Sequence, residues 1–242
     1  MELFLSSLQG ESAAIEAALP QALLEHSLLT GQRWLLISRP EPAISFSRSD
    51  QLKARWPQAL KAASESGVPV LSRTSGGSAV AAHPGCLKLT WSAPHAVRDI
   101  AVLERFKLLT DPLLNALSCL GADARLGQVK GEWCPGSHSV NIAGLKKIAG
   151  LGQRSCSGGH HLCAIVLVSD AKRTDQLLAP IHKALGCHLS QSADLENLAA
   201  SFEDLSLALQ ASLAGDYRLK QAELPAKVRR RAADLAAGYL LA

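Results

Sequence analysis

Residues 68–80 read Val68-Pro69-Val70-Leu71-Ser72-Arg73-Thr74-Ser75-Gly76-Gly77-Ser78-Ala79-Val80. An apolar, partly β-branched run passes into a segment of small residues, the pattern of a strand entering a glycine loop. Gly76 and Gly77 carry no Cβ, so their backbone can approach a ligand closely or take positive φ. Arg73 presents a fixed fork of donors that suits a carboxylate, a carbonyl or a phosphate. An ordinary turn would use the same residues, and a cysteine and a lysine further along the chain bear on which reading holds.

Around this loop, strands and helices alternate. Ile15, Leu19 and Leu23 recur at helical spacing, so residues 11–29 read as a helix that Pro20 kinks or splits. Arg33–Arg39 and Ala43–Ser47 read as strands about Pro40-Glu41-Pro42. Ser49–Ser66 reads as a helix broken by Pro57, residues 68–72 and Cys86–Trp91 as strands, and His83-Pro84-Gly85 as the turn before the latter. Asp99–Cys119 is an amphipathic helix. Ser139–Ile142 and Lys146–Gly150 form a hairpin about Ala143-Gly144, and His161–Val168 is a buried strand. Residues 173–186 and 193–213 are helical, and Lys220–Leu241 closes the chain with a helix starting after Pro225. Hairpins among mixed elements predict an α+β fold with a mixed, largely antiparallel sheet flanked by helices. The chain reads as one domain over residues 1–242, with residues 190–242 a helical C-terminal extension.

The chain has 242 residues, 48% hydrophobic and 19% charged, which excludes a disordered polymer and allows a large core. A net charge of +4 is too small to argue for nucleic acid, and 4% aromatics supply few stacking platforms. No uncharged apolar run is long enough for a membrane span, and Met1-Glu2-Leu3-Phe4-Leu5-Ser6 lacks the features of a signal peptide. A cytoplasmic protein with reduced thiols is the expectation, with most of the six cysteines acting as small core residues.

Cys134 departs from that pattern. It precedes the turn dipeptide Pro135-Gly136, whereas Cys163 sits in the apolar run Leu162-Cys163-Ala164. Thirteen residues on, Lys147 stands on a strand between Gly144 and Gly150, and its neighbour Lys146 must face the other way. A free thiol is only about 3% thiolate at neutral pH. A nearby ammonium favours the anion, which can attack a carbonyl and hold an acyl group as a thioester. A core cysteine with an unrelated surface lysine is the other reading of the same spacing.

Together, Arg73-Thr-Ser-Gly-Gly-Ser-Ala-Val80, His83-Pro84-Gly85 and Lys147-Ile-Ala-Gly-Leu-Gly-Gln-Arg154 resemble the lipoate–protein ligase, octanoyltransferase and biotin–protein ligase superfamily. With Cys134-Pro135-Gly136 upstream of the lysine, the chain is most similar to the cysteine-dependent octanoyl transferase (amidotransferase) branch. The resemblance implies a fold like class II aminoacyl-tRNA synthetases and biotin synthetase. It implies that an octanoyl or lipoyl group moves through a Cys134 thioester to a lysine of a lipoyl-domain protein. Acceptors of this kind are glycine-cleavage H protein and the acyltransferase subunits of 2-oxoacid dehydrogenases, and an acyl carrier protein can be the donor. Lys147 would lower the pKa of Cys134 and polarise the acyl carbonyl. Arg73, Ser75, Gly76, Gly77, Ser78, Ala79, Val80, His83 and Gly150 would form the substrate pocket. No cofactor is required on this reading.

The chain departs from the family pattern at Ser78 (usually glycine), Pro84 (usually Asp), Cys86, Lys88 and Leu145. These changes bear harder on nucleotide phosphates, which need every amide donor, than on an acyl chain. An ATP-dependent lipoate–protein ligase and a catalytically silent acyl-binding module stand as alternatives.

Cys156, His160, His161 and Cys163 lack the ligand spacing of a structural zinc site, so no metal is expected. A pocket-lining role for His160 or His161 and a mobile Ser155–His160 loop are expected instead. The basic run Lys227, Arg229, Arg230 and Arg231 reads as a solvated helix face or as a docking patch for acidic domains.

Overall fold

The computed structural model describes residues 1–94, 101, 103–187 and 189–242. In chain order the elements are β1 (Glu2–Gln9), α1 (Ala13–Thr30), β2 (Trp34–Arg39), β3 (Ala43–Ser47), α2 (Arg48–Gln51), α3 (Trp56–Ser64), β4 (Val70–Arg73), β5 (Val80–Ala82) and β6 (Cys86–Pro94). There follow α4 (Lys107–Cys119), β7 (Ala124–Leu126), β8 (Val140–Ile142), β9 (Lys146–Cys156), β10 (Gly159–Leu167), α5 (Ala171–Ala184), α6 (Phe202–Leu213), β11 (Arg218–Gln221) and α7 (Ala226–Ala236). The main sheet runs β11-β1-β2-β6-β10-β9-β8-β7, and a smaller one runs β4-β3-β5. Among the described residues, only β11–β1 and β1–β2 pair in parallel within the main sheet, so the fold is α+β with a mixed, largely antiparallel sheet.

Alternation along the strands sorts the side chains. Trp34 and Leu36 of β2 join the apolar cluster under α1 and α7, while Leu35 and Ile37 join the cluster that contains α4 and α6 residues. The two clusters lie on opposite faces of the sheet, and burying both faces excludes water from the strands that carry the site.

Pro20 does not split the first helix into two elements; α1 continues through it. A proline here removes the N–H that would bond the Glu16 carbonyl. The Lys88 ammonium from β6 donates to that carbonyl instead, at 2.8 Å. Pro57 does mark a boundary, because it opens α3 near its first position, where no N–H is needed. The start of the helix expected from Asp99 falls outside the described residues; α4 begins at Lys107 after a 3-10 turn over Glu104–Phe106.

The helical tail expected from residue 190 is partly strand. β11 pairs with β1, Leu205, Leu209 and Leu213 of α6 enter the main cluster, and Leu241 N–H donates to the Val70 carbonyl. Arg-Leu-Lys-Gln is too short and too polar to signal a strand by itself; the vacant edge of β1 makes it one. The expected Ser155–His160 loop is also hairpin, with only Ser157 and Gly158 left between β9 and β10. No helix among the described residues is long and apolar enough to cross a membrane.

Candidate active site

The loop after β4 is held from both sides. Ser47 caps α2 in a reciprocal capping box with Asp50, and the Ser47 hydroxyl also donates to the Gly77 carbonyl. Ser78 Oγ donates to the buried Asp50 carboxylate at 3.1 Å, and Lys53 pairs with the same oxygen at 2.7 Å. Arg73 turns inward: its guanidinium donates to the carbonyls of Ser45, Gly76 and Ser78. Burial pulls its pKa down from the ordinary arginine value, with Cys134 and Asp50 acting against that shift. Arg73 therefore shapes the loop as well as walling the cavity behind it.

Cys134 meets this loop. Its backbone takes the left-handed conformation, φ 45°, uncommon for a residue with a side chain. The Ser78 N–H donates to Cys134 Sγ at 3.1 Å. Gly77, at φ 100°, leaves room for the sulfur: a Cβ there would stand 2.5 Å from Sγ. A Cβ on Gly76 would meet nothing within 4 Å, so close approach is a requirement of Gly77 alone. The Ser78 side chain points to Asp50 and leaves its amide free to face the sulfur.

Lys147 is 1% exposed, while Lys146 reaches out to Gln191. The register between β8 and β9 slips at Val140/Asn141, where Val140 opposes Ala149 and Asn141 opposes Lys147. This bulge resets the alternation and brings Lys147 alongside Gly150, whose Cβ would lie 3.2 Å from Lys147 Cε. Lys147 Nζ lies 2.8 Å from the Cys134 carbonyl, 2.9 Å from the Trp133 carbonyl, 2.9 Å from Ser139 Oγ and 3.3 Å from Glu132 Oε1. It also sits 4.3 Å from the centre of the Trp133 ring. Burial pulls the Lys147 pKa below the usual lysine value, and the charges of Cys134 and Glu132 pull against it. Four oxygens within 3.3 Å call for an ammonium, so the charged form is the one the geometry serves.

Glu132 and Trp133 were not among the expected site residues. Glu132 is buried and accepts from the amides of Val129 and Gly136 and from Ser139, besides Lys147. The only sequence signal is an acidic residue two before the cysteine. Trp133 packs against Gly150, where a Cβ would fall 2.6 Å from the ring, and its indole N–H donates to Ser192.

Two adjoining cavities with shared walls lie behind Cys134. The nearer has Cys134, Trp133, Gly76, Gly150 and Gly152 in its walls. The larger shares Arg73, Ser75, Val80, Cys163 and Ile165 with it and extends beneath α1 to Glu16 and Lys88. His161 lines the larger one, with Nε2 3.0 Å from Thr74 Oγ1 and Nδ1 3.7 Å from Cys163 Sγ. Its pKa is lowered to about 4, by burial first and then by Arg154 and His160. Burial raises the pKa of Cys163.

The structure takes His83 and Ala79 out of the expected pocket. His83 is buried between the β5–β6 turn and α5, with Nε2 3.0 Å from Thr174 Oγ1 and Nδ1 accepting from the Gly85 N–H. It fixes the turn and reaches neither cavity. Ala79 is buried in the core behind the loop. Among the described residues, no group of three or more His, Cys, Asp or Glu is placed to hold a metal. In the basic helix α7, Arg229 pairs with Glu11 and Arg231 with Glu25.

Known proteins resemble this chain in sequence and in fold. An Octanoyl-[GcvH]:protein N-octanoyltransferase of Geobacillus kaustophilus is 32% identical over 102 residues, 42% of this chain and 36% of that protein. A Lipoyl-[GcvH]:protein N-lipoyltransferase of Listeria monocytogenes is 36% identical over 98 residues, 38% of this chain and 33% of that protein. The matched stretches thus span about a third of those relatives' length. In fold, a bi-partite lipoate protein ligase of Thermoplasma acidophilum superposes with a TM-score of 0.75 at 19% identity, over 98% of this chain and 92% of that one. A lipoate-protein ligase A bound with ATP gives 0.77 at 18% identity, over 98% and 94%. The catalytic-domain model of lipoyl protein ligases A and B matches residues 12–207. The chain belongs to the lipoyl protein ligase A/B catalytic domain family.

Proposed function

We propose that the chain is a protein N-acyltransferase that moves an octanoyl or lipoyl group through a Cys134 thioester to a lysine of a lipoyl-domain protein. The observation that carries this reading is the Cys134 sulfur, set at the wall of an apolar cavity and facing a backbone N–H. A donor N–H and a cationic amine nearby suit a thiolate and a developing oxyanion.

In the first half-reaction the Cys134 thiolate attacks the acyl carbonyl carbon of the donor. A C–S bond forms, the donor's C–S or C–N bond breaks, and the donor leaves as its thiol or amine after taking a proton from water. In the second, the ε-amine of the acceptor lysine attacks the thioester. A C–N bond forms, the C–S bond breaks, the amine loses its proton to water, and Cys134 returns as thiolate. Lys147 holds the Cys134 carbonyl and its neighbour in place throughout and supplies positive charge beside the reacting carbonyl. The similarity to octanoyl-[GcvH] and lipoyl-[GcvH] transferases supports glycine-cleavage H protein as donor or acceptor. On this reading the acyl group passes downhill from a thioester donor or is exchanged between like amides, and no ATP or other cofactor enters.

The test is transfer between proteins. Purified chain is incubated without ATP with an octanoylated lipoyl-domain donor and an unmodified acceptor domain, and the acceptor's intact mass is followed. Gain of an octanoyl group that Cys134→Ala abolishes is the expected result. Modification that needs ATP and survives Cys134→Ala would assign the chain to the ligases instead.

A further inference from the structure

Trp133, the residue before Cys134, is held in three ways. Its ring stands over the Lys147 ammonium, its carbonyl accepts from that ammonium, and its indole N–H donates to Ser192 Oγ at 3.1 Å. The first two contacts belong to the site itself. The third leads away from it, to α5. Ser192 is buried and lies on a strap, residues 190–194, that is neither helix nor strand. Backbone bonds tie this strap to both halves of the site: Ser190 N–H donates to the Gly131 carbonyl at 2.6 Å, and Ala193 N–H to the Lys147 carbonyl at 2.8 Å. Between these ties the Asp175 carboxylate of α5 takes Ser192 twice. It accepts from the hydroxyl at 2.6 Å and from the backbone N–H at 3.0 Å.

The direction of each bond follows from the groups that make it. An indole N–H can only donate, and a serine hydroxyl has a single proton. A carboxylate can only accept, so the Ser192 proton goes to Asp175 and a lone pair is left facing Trp133. The charge on Asp175 polarises that hydroxyl and strengthens the bond beyond it. Asp175 lines neither cavity, so its effect on the site passes through Ser192 and the indole. The chain next to Trp133 needs such a hold. Cys134 takes a left-handed backbone, which persists only where the surroundings over-determine it.

We propose that Asp175 is a positioning residue of this site: through Ser192 it fixes the Trp133 indole over Lys147, and so holds Cys134 in the conformation that sets its sulfur against the Ser78 amide. The proposal rests on the acyl-transfer reading for its kinetic consequence, while the geometry it describes can be read without any acyl group.

Trp133 is one of four tryptophans, so its indole N–H signal can be followed by nuclear magnetic resonance in the full chain and assigned by its loss in Trp133→Phe. Asp175→Asn should move that signal and speed its exchange with solvent about tenfold, with the other three indole signals unmoved. Loading of Cys134 from an octanoyl thioester should fall about tenfold in Asp175→Asn. It should fall by a similar factor in Trp133→Phe and no further in the double variant, because the carboxylate acts through the indole. An unmoved indole signal, or native loading, in Asp175→Asn overturns the proposal. So does a further loss when Asp175→Asn is added to Trp133→Phe, which would make the carboxylate a tie of α5 alone. Should Asp175→Asn fail to fold, Ser192→Ala removes the same acceptor and carries the same comparison. Should the native chain take up no octanoyl group, acyl transfer falls. The indole signal and the rate at which iodoacetamide alkylates Cys134, slower in Asp175→Asn if the proposal holds and unchanged if it does not, then decide the positioning by themselves.

Discussion

The Ser78 backbone N–H points at the Cys134 sulfur from 3.1 Å, joining two loops that lie 56 residues apart in the chain. The contact exists because Gly77 has no side chain and because Arg73, Ser47 and Asp50 hold the loop's carbonyls and hydroxyl on its other side. Neither loop has the site alone.

Gly77→Ala should disrupt that junction and Gly76→Ala should not. The added methyl at Gly77 meets the sulfur at 2.5 Å and keeps a backbone angle unfavourable to any side chain, a cost of about 1–2 kcal/mol. At Gly76 it enters open space, with an effect on stability within about 0.5 kcal/mol. Urea unfolding separates the two. The rate of Cys134 loading from an octanoyl thioester should fall at least tenfold in Gly77→Ala.

Glu132 and Lys147 should behave as a buried pair. Removing one partner leaves the other charge without its counter-ion, so Glu132→Leu should cost about 3–5 kcal/mol in denaturant unfolding. The double change Glu132→Leu/Lys147→Met should recover much of that loss. It should not recover acyl loading, because the ammonium that holds the Cys134 carbonyl is gone.

Acid should destabilise the chain partly through His161. Its folded pKa is near 4, against about 6.5 in the unfolded chain, so the unfolded state takes up the proton first. The contribution is fully present above pH 6.5 and is lost as pH falls from there to about 4, amounting to roughly 3 kcal/mol at most. Stability against urea measured over that range should drop more steeply in the native chain than in His161→Phe. Parallel curves would contradict a buried neutral imidazole.

The glycine loop, the cysteine before Pro-Gly and the lysine strand were legible because each depends on local chemistry: backbone freedom, a turn dipeptide, alternation. Glu132 was not, since an acidic residue gains meaning only when Lys147 is folded against it. His83 matched a motif yet serves the turn and Thr174, because a motif records a residue type and not where its ring points. That Pro20 leaves α1 in one piece was hidden for a similar reason. Its break is compensated by Lys88, 68 positions away, and no local signal announces that amine. β11 became a strand only because β1 offered it an edge.

The central claim is that Cys134 carries the acyl group, and intact mass tests it most directly. Purified chain is mixed with an octanoyl thioester in the absence of ATP, weighed, treated with neutral hydroxylamine and weighed again. One octanoyl adduct that hydroxylamine removes, and that Cys134→Ala never forms, is the predicted result. An adduct that resists hydroxylamine or persists in Cys134→Ala, or no adduct at all, would contradict the account.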